Sequence, residues 1–301
     1  MTENSTLTRT YSALRSLLPA RFRADIPIVP VVRLSGVIGF STPLKPGLTL
    51  ASLARVLDRA FTVRNARAVA LAINSPGGSA AQSHLIFRRI RQLAEENELP
   101  VIAFVEDVAA SGGYMLACAA DEIICDPSSI VGSIGVISAS FGFHKLIERF
   151  GVERRVYTSG QSKSMLDPFL PEKPEDVERL KSIQKEIHES FIALVEARRG
   201  GKLDGREKAL FSGEFWSGAK ARELGLVDAV GELRAALRER YGEKVVTPLI
   251  AERGLFGRRT PGISGAWIGG AWADQLINRP SLADDIVTAL EARALWARYG
   301  L

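Results

Sequence analysis

Cysteine is almost missing from this chain, with two among 301 residues, Cys118 and Cys125. They lie seven apart in apolar surroundings and read as small buried hydrophobes, which leaves no disulfide framework and fits a reducing compartment. Histidine is as scarce: His84, His144 and His188. No Cys/His spacing suits zinc, so no metal and no other cofactor is expected. No apolar run reaches eighteen residues, so no transmembrane helix is predicted. The N-terminus lacks the continuous apolar stretch of a secretory signal. The net charge of +5 is spread along the chain, without the aromatic–basic interleaving of a nucleic-acid module, so no nucleic-acid partner is expected. The hydrophobic fraction of 46% is ordinary and permits a sizeable core.

What the chain does have is an alternation of apolar strand-like runs and amphipathic helices. Residues 26–40 read as a first core strand, and Thr49 can cap a helix to about Thr62. Further strands are expected at 68–74, 101–106, 122–125, 131–137 and 153–158. Helices are expected at about 79–96 and at 174–199, the latter striped by Val177, Leu180, Ile183, Ile187, Phe191 and Leu194. This alternation predicts an α/β layered fold with a largely parallel sheet and flanking helices.

The segment FVEDVAASGGYML, residues 104–116, is the most informative. Ser111 ends a buried strand and is followed by Gly112, Gly113 and an apolar helix start. Such a corner exposes a hydroxyl and aims free main-chain N–H groups at whatever the oxygen attacks. An ordinary Ser-Gly-Gly turn capping a helix has the same letters. Upstream, AVALAINSPGGS (68–79) is a second strand ending in a Pro-Gly-Gly turn. Downstream lie IVGSIGVISAS (130–140) and RVYTSGQSKSMLDP (155–168), a strand running into a polar loop that carries Lys163. Taken alone, Lys163 reads as an ordinary solvated loop lysine.

In their order and spacing, NSPGG (74–78), ASGGY (110–114), VGSIGV (131–136), SGQSK (159–163) and GLVDAVG (225–231) resemble the signal peptide peptidase A family, the serine–lysine peptidases that include SohB-like proteins. The resemblance covers roughly residues 30–235, and Lys163 follows Ser111 at a separation typical of the family. It implies a Clp-protease/crotonase-like fold and a serine endopeptidase. Ser111 would be the nucleophile and Lys163 the base. Gly112 and Gly78 would supply the oxyanion donors, and the glycine turns, Gly77 included, would line a groove for an extended substrate. Ser133 matches a family position that bonds the lysine amine; a strand-end serine capping backbone remains the other reading. Substrates would be signal-peptide remnants and unfolded or membrane-derived polypeptides. A homo-oligomer is the expected assembly.

A serine hydroxyl needs a base. Clp-type relatives of the fold carry a histidine about 25 positions beyond the serine; Val136 stands there, which argues against a Ser-His-Asp triad. A lysine can act only as the neutral amine, which desolvation favours. The chemistry therefore requires Lys163 buried beside Ser111 and unpaired, and Asp167 is close enough in sequence to spoil it.

Three regions are expected. Residues 1–25 form an amphipathic N-terminal extension, rich in arginine, that packs on protein or lies on a membrane surface. Residues 26–241 form the peptidase domain. Residues 242–301 form a C-terminal extension for assembly or membrane contact. The expected location is cytoplasmic, with peripheral membrane attachment as the variant. The rival readings are a crotonase-type enzyme binding acyl-CoA and a non-catalytic scaffold on the same fold.

Overall fold

The computed structural model describes residues 26–39, 47–160, 162–203, 207–251, 290 and 293–301. The N-terminal extension, and the Gly/Trp-rich stretch at 254–272 within the C-terminal one, lie outside the described residues.

Among the described residues, eight strands form one sheet: β1 Val31–Ser35, β2 Val69–Ser75, β3 Val101–Ala110, β4 Glu122–Cys125, β5 Ile130–Gly132, β6 Phe215–Ser217, β7 Ala229–Val230 and β8 Leu249–Ile250. The helices are α1 Leu50–Phe61, α2 Ala80–Glu96, α3 Gly112–Ala117, α4 His144–Arg149, α5 Pro174–Arg199, α6 Glu207–Leu210, α7 Gly218–Glu223 and α8 Leu233–Tyr241. Strand order runs β6-β5-β3-β2-β1-β8, with β4 pairing β3 and β7. Every pairing is parallel except that of β5 with β6. The layered, largely parallel α/β fold expected from the sequence is the one observed.

A parallel sheet covered on both faces needs continuous apolar strands, and β2 and β3 supply them. On one face, Leu71, Ile73, Val101, Val105 and Ala109 pack against α1, α2, α3 and the second half of α5. On the other, Ala70, Ala72, Ile102 and Phe104 meet Leu237 of α8, and Val108 and Ala110 are closed over by Tyr299.

The central strand β3 serves two neighbours in turn. Residues 102–105 pair with β4, and residues 108–110 pair with β5. The sheet forks between them, and Ser129 Oγ donates to the Glu106 carbonyl at 2.5 Å there, so a buried acceptor is not left unpaired. The fork carries the C-terminal end of β3 past its neighbours and sets the corner at Ser111.

Local chemistry fixes the helices. Thr49 and Ser52 form a reciprocal cap on α1. Pro174 opens α5, with Glu175 and Asp176 in its first turn and Arg198 and Arg199 in its last, an arrangement that complements the helix dipole. Arg199 is only 3% exposed and meets Asp228 at 2.7 Å. Arg198 donates to the Cys118 and Ala120 carbonyls just beyond α3. The C-terminal half of α5 is therefore locked to the elements behind Ser111. Both cysteines are free and buried, burial pushing the Cys118 thiol up to about 12 and that of Cys125 to about 11.

Three sequence expectations need correction. The first strand is shorter than residues 26–40, with isolated bridges at Ile28 and Ile38 flanking β1. The strand expected at 131–137 stops at Gly132, because Gly132 and Ser133 both take positive φ and turn the chain. Residues 153–158 form no strand at all, and all six are exposed. Their alternating letters suit a strand, but within the described chain no neighbouring edge offers them a ladder. They belong to an arm, residues 137–173, that also exposes Ile137, Phe141, Phe150 and Tyr157, the last at 90%.

Candidate active site

Ser111 stands where β3 ends and α3 begins. Its backbone is held at φ 52°, ψ −122°, a region strained for any residue with a Cβ. The Ser111 N–H donates to the Gly132 carbonyl at 2.8 Å, and its own carbonyl accepts from Met115 N–H at 3.0 Å. Both main-chain groups are thus used to hold the corner. The hydroxyl makes no capping bond to α3. Ser111 holds the N-cap position of α3 without using its hydroxyl as the cap, and the residue is partly exposed.

The Pro-Gly-Gly turn after β2 is packed against this corner. A Cβ on Gly77, whose φ is 99°, would stand 2.9 Å from the Ala110 carbonyl oxygen, from Gly112 N and from Ser111 Cβ; only glycine fits. Ile38 clamps the turn from the other side, donating to the Gly77 carbonyl at 2.8 Å and accepting from Ser79 N–H at 2.8 Å. Among the described residues, the N–H groups of Gly78 and Gly112 have no internal acceptor. Two unpaired main-chain donors therefore border the serine, from two turns that touch each other.

Ser133 is buried and also carries a positive φ, 53°. Its N–H donates to the Glu214 carbonyl at 2.6 Å, and its hydroxyl caps no backbone group among the described residues. It sits next to Gly132, which holds the Ser111 amide. Five of the six residues singled out from the sequence, Gly77, Gly78, Ser111, Gly112 and Ser133, thus gather around one corner.

Lys163 does not join them within one chain. It lies on the arm with its side chain exposed, and no hydrogen bond links it to Ser111. Asp167 does not capture it: that carboxylate is paired with Arg154 at 2.9 Å, and the Phe169 N–H together with Arg154 hold it below the usual carboxylate range. None of the three histidines bonds Ser111. His188 Nε2 lies 3.1 Å from the Ile134 carbonyl. The clamping role of Ile38 and the contact of His188 left no mark in the sequence, since both depend on which segments the fold brings together.

The open cavity of about 440 Å³ on the α8 face does not include Ser111. Its carboxylates are already engaged: Glu106 by Arg33, Asp107 by Asn74, Asp126 by the Ser128 N–H and Glu232 by the first amides of α8.

The sequence pattern of peptidase family S49 matches residues 94–246, about half of the chain and the part that contains Ser111, Ser133 and Lys163. The chain belongs to peptidase family S49. It is 34% identical over 215 residues to the chloroplastic serine protease SPPA of Arabidopsis thaliana, covering 69% of this chain and 31% of that one. It is 32% identical over 178 residues to the probable protease SohB of Haemophilus influenzae, covering 59% and 49%. A longer protein of Brucella abortus, named a Na(+)/H(+) antiporter NhaA, is 56% identical over 290 residues. That match takes in 96% of this chain but only 39% of the Brucella protein. The name describes the longer protein. Among the described residues of this S49 peptidase, no helix is long and apolar enough to cross a membrane.

Proposed function

We propose that this S49 peptidase is an endopeptidase working through a Ser111–Lys163 dyad in which the lysine comes from a neighbouring copy of the chain. The observation that carries the reading is the strained Ser111 corner, with its hydroxyl uncommitted and the Gly78 and Gly112 amides free beside it. Lys163 Nζ, as the neutral amine, takes the hydroxyl proton while Ser111 Oγ attacks the scissile carbonyl. The negative charge that develops on the carbonyl oxygen is met by the two glycine N–H groups, aimed there before the reaction starts. The lysine then returns the proton to the leaving amine, and water releases the acyl group by the reverse sequence.

The arm supports the shared site. It carries Lys163 into solvent and presents Ile137, Phe141, Phe150 and Tyr157 as exposed apolar surface, which a monomer rarely tolerates. Docking against a second copy would bury those side chains and desolvate the amine, the condition a lysine base requires. Ser133 would then fix the incoming amine. Substrates would be extended chains, signal-peptide remnants or unfolded and membrane-derived polypeptides, added along the glycine turns by main-chain bonds. Hydrolysis of an unfolded casein-like substrate tests this. Ser111→Ala and Lys163→Ala should each lower turnover by roughly 10³-fold or more, and the double variant should be little worse than either. Wild-type-like turnover in either single variant would refute the assignment.

A further inference from the structure

We infer that His188 is a positioning residue for the nucleophile, acting through the Gly132–Ile134 turn; the inference rests on Ser111 being the nucleophile. At the end of β5, where Gly132 still pairs with β3 and β6, three successive residues each bond a different segment. The Gly132 carbonyl receives the Ser111 N–H at 2.8 Å, the Ser133 N–H donates to the Glu214 carbonyl at 2.6 Å, and the Ile134 carbonyl faces His188 Nε2 at 3.1 Å. Positive φ at Gly132 and Ser133 makes this turn one that neighbouring contacts must hold in place. The Ile134 side chain is fully buried, and its carbonyl has no strand partner among the described residues. A carbonyl only accepts, so the imidazole must present Nε2–H to it.

The support behind His188 is rigid. It lies on α5 one turn before Phe191 and two before Val195, both of which are in the core, and α5 is fastened at its end through Arg198 and Arg199. The bond therefore transmits a fixed position, from α5 through Ile134 and Gly132 to the Ser111 amide. Without it, the Ser111 corner and Ser133 are free to shift relative to the glycine donors.

The experiment uses the full-length enzyme, with active serines counted by a fluorophosphonate probe so that kcat is expressed per reactive site. His188→Leu should lower kcat by about 10- to 100-fold, as displacement of a reacting group by a fraction of an ångström to one ångström does, with KM changing less than threefold. His188→Gln, whose amide nitrogen reaches the place of Nε2, should recover most of kcat. His188→Asn, too short to reach, should not, and it serves if the leucine variant does not fold. A merely structural histidine would lower melting temperature and the number of reactive sites while leaving kcat per site unchanged in all three variants, and that result overturns the inference. Failure of the nucleophile assignment is distinct: wild-type enzyme would then remain fully active after Ser111→Ala.

Discussion

The strain at Ser111 makes a prediction that separates catalysis from stability. At φ 52°, ψ −122°, a residue with a Cβ stores of order 1–3 kcal/mol. Ser111→Gly removes the Cβ and releases that strain. It also gives the unfolded chain more freedom, which costs roughly 0.5–1 kcal/mol. The net expectation is a gain of up to about 2.5 kcal/mol, or up to about 5 °C in melting temperature for a chain of this size. Ser111→Ala keeps the Cβ, and because the hydroxyl makes no capping bond to α3, it should change stability by less than about 0.5 kcal/mol. Both variants should be inactive. The assay is urea and thermal unfolding of wild type, Ser111→Ala and Ser111→Gly at matched protein concentration, with peptide hydrolysis measured on the same samples. A glycine variant no more stable than the alanine variant would mean that the corner is not strained in the way its dihedrals imply.

Other outcomes follow from the same geometry. Asp228→Asn leaves the guanidinium of Arg199, 3% exposed, without its carboxylate partner and should cost about 3 kcal/mol in urea unfolding. Burial alone would raise the Asp228 carboxyl, but Arg199, Lys202 and the Ile123 N–H outweigh it and hold the group below the usual range. Its contribution is therefore complete above the unfolded carboxylate value, about pH 4, and is lost on acidification from there through the lower folded value. Unfolding curves taken from pH 6 down to pH 3 should show the loss, and Asp228→Asn should flatten it. Replacing exposed arm residues, as in Phe150→Glu or Tyr157→Glu, should shift sedimentation toward monomer and lower hydrolysis in parallel; unchanged assembly would remove the arm from the interface. A pH–rate profile governed by a group near 6.5 and abolished by one histidine substitution would mean a different base.

Much of the fold is legible in the letters, for definite reasons. Strands buried on both faces need unbroken apolar runs, so VALAI and VIAFV stand out. The capped ends of α1 and α5 carry their own chemistry in Thr49, Ser52 and Pro174. The Ser111 corner is readable because a strand, a serine and two glycines permit few geometries. What escapes the sequence is whatever depends on a distant partner. Residues 153–158 have strand-like alternation but no ladder in their own chain, so the pattern says only that they could pair. The fork in β3 depends on Ser129 meeting the Glu106 carbonyl, and two serines at 128–129 do not announce it. His188, mid-helix among charged residues, looks like surface until α5 is laid beside Ile134. The place of Lys163 in the dyad rests on family resemblance, and the exposure of its side chain is what points to a second copy.

The most direct test of the shared dyad is to mix inactive Ser111→Ala and Lys163→Ala proteins under conditions that exchange subunits. If each site combines the serine of one copy with the lysine of the next, a site works only where a Lys163→Ala copy lends its serine to a neighbouring Ser111→Ala copy. Equal, random mixing in a closed ring should then restore about a quarter of wild-type activity from two inactive parents. Mixed oligomers that form and yet stay as inactive as either parent would contradict a dyad built across subunits.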